Sequence, residues 1–191
     1  MAKTVPFHLK EYWEDRFEKE EHFEWLADWP ILKPLVEPYL HQDEPILHIG
    51  CGNSTLAFDM ADSGYPHVIN VDYAPNVIER MKQLTDVNRY PQIEWHAANC
   101  LDGLARFDPT SQGFSVVIDK SLCDCLATGD TDDLAMQHQL SDHVLSVTRP
   151  NGVWLSISYS SERDHPPSDP KCTGWKSRNK TSDILLSLYP A

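Results

Sequence analysis

From Pro45 onward, short apolar runs alternate with longer stretches in which apolar residues return every three or four positions. The runs at 46–49, 67–71, 93–97, 114–118 and 153–158 read as strands, and the apolar run at 114–118 suits a strand buried on both faces. Helical patterns lie between them. One covers about 55–61 and is ended by Ser63-Gly64; a second starts at Pro75 and runs through Val77, Ile78, Met81 and Leu84. A third covers about 132–147 and stops before the turn Arg149-Pro150-Asn151-Gly152. This alternation predicts an α/β fold with a doubly wound, mostly parallel sheet.

Both ends depart from the alternation. Residues 8–26 carry Leu9, Tyr12, Trp13, Phe17, Phe23, Trp25 and Leu26 among many charges, which predicts an amphipathic helix with an aromatic face. A second short helix is expected over 31–40, interrupted by Pro34 and Pro38. After Ser158 comes a polar connection at 159–174, then two short segments at 175–177 and 184–189 that suit final strands forming a hairpin at the sheet edge. The expected organisation is one domain over 1–191: a helical cap at 1–44, a ligand-binding core at 45–158 and an edge hairpin at 159–191, giving seven strands.

The chemistry gathers where strands meet loops. Ile46-Leu47-His48-Ile49 runs directly into Gly50-Cys51-Gly52-Asn53-Ser54, a strand followed by a G-x-G turn that lets the backbone approach a ligand closely. Asp72 closes the next strand, where a carboxylate can accept hydrogen bonds from a ribose diol. A dinucleotide fingerprint wants a third glycine at 55, and the chain has Thr55 there. No Gly-Lys-Ser/Thr follows, so a P-loop is excluded as well. Ligands of open parallel sheets bind beyond the carboxyl ends of the strands. Those ends carry Gly50-Cys51-Gly52, Asp72-Tyr73, Asn99-Cys100 and Asp119-Lys120. A backbone turn for a small charged tail, a carboxylate for a ribose and an amide for a purine edge describe S-adenosyl-L-methionine better than NAD.

Charge narrows the partners. Against 29 acidic residues stand 16 basic ones, a net charge of −13, which repels nucleic-acid phosphate and favours a basic protein or a cationic small molecule. The five cysteines, at 51, 100, 123, 125 and 172, lack paired C-x-x-C spacing and read as reduced thiols of a cytoplasmic or nuclear protein. His138 and His143 stand five apart on a predicted helix, so no metal site is expected; His48, inside a strand, reads as packing. Residues 1–30 contain no apolar signal region, and no apolar run is long enough to span a bilayer, so neither secretion nor membrane insertion is expected.

Six blocks, in order and spacing, resemble the class I S-adenosylmethionine-dependent methyltransferases, and within them the branch of lysine methyltransferases acting on elongation factor 1-alpha. They are Tyr12-Trp13-Glu14-Asp15-Arg16-Phe17, Phe23-Glu24-Trp25-Leu26, Ile49-Gly50-Cys51-Gly52-Asn53-Ser54, Val71-Asp72-Tyr73, Val117-Ile118-Asp119-Lys120-Ser121-Leu122-Cys123-Asp124 and Arg149-Pro150-Asn151-Gly152. The resemblance implies a Rossmann-like methyltransferase fold, S-adenosyl-L-methionine as cofactor and a protein or small-molecule methyl acceptor. It places Gly50, Cys51, Gly52 and Asn53 at the methionine end, Asp72 at the ribose, Tyr73 against the adenine, and Asn99 and Cys100 beside the base. It places Asp119 and Lys120 near the transferable methyl, and Trp13, Phe17 and Phe23 in a helix folded over the cofactor.

The chain also departs from the branch pattern. Asn99 stands where an Asp is usual, Phe17 where a Tyr is usual, and Ser121, Leu122 and Cys123 interrupt the usual Asp-Lys-Gly-Thr-Leu-Asp. Methyl transfer from a sulfonium is an in-line displacement that depends chiefly on holding nucleophile and methyl in register. A lysine acceptor must arrive neutral although its free pKa is about 10.4. Asp119 is the expected residue for orienting the amine, with Asp124 second or a helix cap. A small-molecule N- or O-methyltransferase and a non-catalytic scaffold are the alternatives.

Overall fold

The computed structural model describes residues 5–128, 133–160, 177–181 and 184–190. Its centre is a sheet whose strands β1 (Ile46–Ile49), β2 (Val68–Asp72), β3 (Ile93–Ala97), β4 (Phe114–Lys120) and β5 (Thr148–Ser158) pair in parallel. Strands β6 (Ser177–Thr181) and β7 (Ile184–Pro190) complete it, with β7 antiparallel to both β5 and β6. The order is β3-β2-β1-β4-β5-β7-β6, and it reverses direction between β1 and β4. That reversal opens a crevice at the carboxyl ends, the usual ligand position in such sheets.

The apolar strand runs have their physical reason in two-sided burial. Ile46, Val68, Val116, Ile118 and Leu155 face one layer, packed with Leu32 and Val36 of α2 (Trp29–Val36), Met60 of α3 (Leu56–Asp62) and Val77, Ile78 and Met81 of α4 (Pro75–Leu84). Leu47, Ile49, Ile69, Val71 and Val117 face the other, packed with Leu140, Val144 and Val147 of α6 (Asp133–Val147). Side chains alternate across a strand, so a central strand needs apolar residues at both parities.

The predicted helix over 8–26 is shorter in the structure. It ends as α1 (Lys10–Lys19), and residues 20–28 run without helix to α2. Tertiary partners override the local pattern there: the Glu20 carbonyl accepts Arg80 at 2.7 Å, and the Glu24 carboxylate accepts the Thr55 N–H at 2.6 Å. The second helix starts earlier than expected, because Asp28 caps it by accepting the Ile31 N–H and Pro30 fits its first turn. Pro38 then opens a 3-10 turn at Glu37–Tyr39. The turn at 149–152 becomes a bulge inside β5, where the register moves from Phe114↔Thr148 to Val116↔Val153 and Asn151 takes φ +65°. A short helix α5 (Leu122–Leu126) was not expected from the pattern. The polar connection at 159–174 lies outside the described residues apart from Tyr159 and Ser160, as does the start of the hairpin strand expected at 175–177.

Candidate active site

Trp13, Phe17, Phe23, Gly50, Cys51, Gly52, Asn53, Asp72, Tyr73, Asn99, Cys100 and Lys120 all line one cavity of about 260 Å³ at the carboxyl ends of β1 to β4. Local sequence explains how they meet. Gly50 and Gly52 hold φ of +62° and +51°, the left-handed region that glycine enters without strain. They also leave room: a Cβ on Gly50 would sit 3.0 Å from the Leu122 Cβ, and one on Gly52 would meet the Phe17 ring at 3.3 Å. The turn is therefore pressed between α5 and the N-terminal helix.

Asp72 fixes the turn from the next strand. Its Oδ2 accepts the Gly52 N–H at 2.9 Å and its Oδ1 accepts the Ala74 N–H at 2.9 Å. Burial pushes this carboxyl up to about 6, against those backbone donors, which favour the charged form. Because the folded pKa lies above the unfolded value, the unliganded fold loses stability as pH rises through the interval from 3.8 to about 6, and is level above it. Ligand binding follows the opposite sign. Affinity for a ribose diol is expected to fall below about pH 6 as Asp72 takes up a proton, and titration calorimetry at pH 5 and 7.5 checks it; Asp72→Asn is expected to flatten the profile.

The N-terminal segment closes the cavity from above. Trp13 and Phe17 are buried, and the Trp13 Nε1–H donates to the Phe7 carbonyl at 2.6 Å. The Arg16 guanidinium lies over the Trp25, Phe23 and Trp13 rings at 4.8, 5.2 and 5.7 Å and is held by Glu20 at 2.8 Å. Phe23 is 39% exposed, so it stands at the rim.

Sequence reasoning gave Glu24 no role, and it is the residue that joins these parts. Its carboxylate accepts the Thr55 N–H, the Ser54 hydroxyl at 3.0 Å and the Lys120 ammonium. Lys120 also donates to the Ala27 carbonyl at 3.2 Å. Burial acts to raise the Glu24 carboxyl, but the Lys120 charge and the Ser54 and Thr55 donors outweigh it and hold the group below the ordinary carboxylate range. The only advance signal was its place inside Phe23-Glu24-Trp25-Leu26.

Asp119 is placed differently from the expectation. It is fully buried, is not part of the cavity lining, and accepts the Trp154 Nε1–H at 2.9 Å and the Cys123 N–H at 3.4 Å. Burial raises it to about 6. Asp124 lies within α5 rather than capping it, and accepts the Ser158 hydroxyl at 2.6 Å and the Tyr159 N–H. Both carboxylates brace the end of β4 beneath the cavity. The thiols of Cys51, Cys100 and Cys123 are raised by burial, so they line or underlie the site as apolar groups, and no metal-binding cluster occurs among the described residues.

His48 does more than pack. The Asn70 NH2 donates to the Val68 and Glu94 carbonyls, so its oxygen faces His48 Nδ1 at 3.0 Å and requires a proton on that nitrogen. His48 lines the cavity, and its Nε2, left with a lone pair, has no hydrogen-bond partner among the described residues. Burial lowers this ring to about 4, which keeps it neutral.

These features fit the cofactor that the resemblance implies. An unpartnered acceptor and a side-chain-free turn suit an ammonium and carboxylate tail, and Asp72 suits a ribose. The Asn99 oxygen already accepts the Leu101 N–H at 3.0 Å, so its NH2 is the group left for a purine edge.

Comparison with known proteins agrees with the fold and with the cofactor class. The methyltransferase domain family matches residues 40–184. The chain is 33% identical to methyltransferase srdJ of Neurospora crassa, over 89% of this chain and 75% of that one. It is 29% identical to EEF1A lysine methyltransferase 4 of Mus musculus, over 82% of this chain and 63% of that one, so it spans under two thirds of this relative. Among solved structures, an RNA methyltransferase from Salinibacter ruber in complex with S-adenosyl-L-homocysteine shares the fold with a TM-score of 0.58 at 10% identity, over 86% of this chain and 92% of that one. The chain belongs to the methyltransferase domain family, in the class whose cofactor is S-adenosyl-L-methionine.

Proposed function

We propose that this protein transfers a methyl group from S-adenosyl-L-methionine to a lysine amine on a protein with a basic surface. The observation that carries the reading is the similarity to the mouse EEF1A lysine methyltransferase, which covers 82% of this chain. Charge supports it: Glu11, Asp15, Glu18 and Glu21 are exposed along the segment that covers the cavity, in a chain of net charge −13. The same charge argues against a nucleic-acid substrate. No helix among the described residues is long and apolar enough to cross a membrane. A cytoplasmic or nuclear setting is part of the proposal, supported by the buried free thiols of Cys51, Cys100 and Cys123.

Bound S-adenosyl-L-methionine supplies an electrophilic methyl on a sulfonium. The residues of the chain position and desolvate. Asp72 and the Gly50–Gly52 turn orient one partner, while Trp13, Phe17 and Phe23 exclude water from the other side. An ammonium entering this aromatic and largely apolar mouth is destabilised relative to the free amine, which helps a lysine arrive neutral. Asp119 acts as a positioning residue, through Trp154 and Cys123.

Incubation of the purified protein with methyl-tritiated S-adenosylmethionine and cell extract is expected to label a protein band that yields methyl-lysine on hydrolysis. Label confined to small molecules would contradict the reading.

A further inference from the structure

Ser121 combines two features that the fold does not explain. It lies between Lys120 at the end of β4 and Leu122 at the start of α5, with φ +67° and ψ 0°, a left-handed conformation that strains any residue but glycine. Its main chain is fixed there, since its N–H donates to the Ile157 carbonyl at 2.9 Å and its carbonyl accepts the Cys125 N–H at 3.0 Å. A serine at a helix start ordinarily uses its hydroxyl to cap the first turn from an extended backbone. Here the hydroxyl makes no capping bond. It is buried, has no hydrogen-bond partner among the described residues, and belongs to a residue that lines the cavity and is 7% exposed.

A buried hydroxyl without a partner is costly, and here it is kept where glycine would also relieve the backbone. Both costs are explained when a ligand brings the missing partner. The location says which part of a ligand. Leu122, the next residue, packs directly against Gly50, so Ser121 stands beside the turn that receives the methionine end of the cofactor, and next to Lys120 on the cavity wall.

We propose that the Ser121 hydroxyl accepts an N–H of the amine that takes up the methyl group, making Ser121 a substrate-orienting residue. The inference rests on the amine-acceptor reading above. An amine that directs its lone pair at a methyl carbon turns its N–H bonds away from it, so a fixed acceptor at one side selects the productive orientation.

Two cofactor analogues probe whether the hydroxyl faces the position of the transferable methyl, where the acceptor amine must arrive, without any protein substrate. Sinefungin carries an amino group on the carbon that replaces sulfur, whereas S-adenosylhomocysteine has a bare thioether there. In calorimetry, Ser121→Ala is expected to weaken sinefungin about tenfold and to change S-adenosylhomocysteine by less than about twofold. Ser121→Gly is expected to show the same selectivity with a melting temperature equal to or above that of the parent, because the left-handed strain is released. Equal losses for both ligands would assign the hydroxyl to the shared part of the cofactor and overturn the proposal; an unchanged sinefungin affinity would do the same. Failure of the lysine reading is separately visible as absence of methyl-lysine in the tritium experiment.

Discussion

Asp72→Ala is expected to remove detectable binding of S-adenosylhomocysteine in calorimetry at pH 7.5. Two losses coincide. The ligand loses the carboxylate proposed to hold its ribose, and charge-assisted bonds of that kind contribute about 1.5–3 kcal/mol each. The turn also loses its tether, since the same carboxylate holds the Gly52 and Ala74 N–H groups at 2.9 Å. Asp72→Asn keeps part of the second role and little of the first, so it separates them: reduced affinity with a near-normal melting temperature is the expected pattern. Full affinity in Asp72→Ala would place the ribose elsewhere.

The second large effect is on stability. Glu24→Ala is expected to lower the melting temperature by about 10 °C, because it strands the Lys120 ammonium in the interior, and breaking a buried pair from one side typically costs about 3–5 kcal/mol. It also frees the Ser54 hydroxyl and the Thr55 N–H. Adding Lys120→Met should restore much of the loss, since a buried cation no longer needs a partner. The pH sign follows from the lowered Glu24 carboxyl: its contribution is present above the unfolded value of 4.5 and is lost as pH falls through the folded one. Differential scanning fluorimetry of both variants checks the account, and additive losses in the double variant would mean that the two residues act independently.

The parts of this architecture that were legible in the sequence are those set by local pattern. Strand β3 and helix α4 fall where their apolar periodicity and Pro75 place them, and Gly50, Gly52 and Asp72 meet because a parallel βαβ unit brings successive carboxyl ends together. The rest depends on distant partners. Glu24 and Lys120 are far apart in the chain, and nothing in either neighbourhood signals the other. The helix expected to continue to residue 26 stops at Lys19 because backbone and carboxylate acceptors after it bond to α4 and the turn after β1. Asp119 has the residue type of a catalytic group, but the pleat turns it into the layer beneath the cavity, where Trp154 and Cys123 engage it. His48 lies in an apolar run, and only the Asn70 contact fixes which ring nitrogen is left with a lone pair.

Whether this one cavity is the cofactor site is tested most directly by a crystal structure of the protein grown with S-adenosylhomocysteine. The predicted density has the ribose hydroxyls on the Asp72 carboxylate, the amino-acid tail over the Gly50–Gly52 turn, and Trp13 and Phe17 against the ligand. Density at any other place, or a cavity at the carboxyl ends of β1 to β4 that stays empty at saturating ligand, would contradict it.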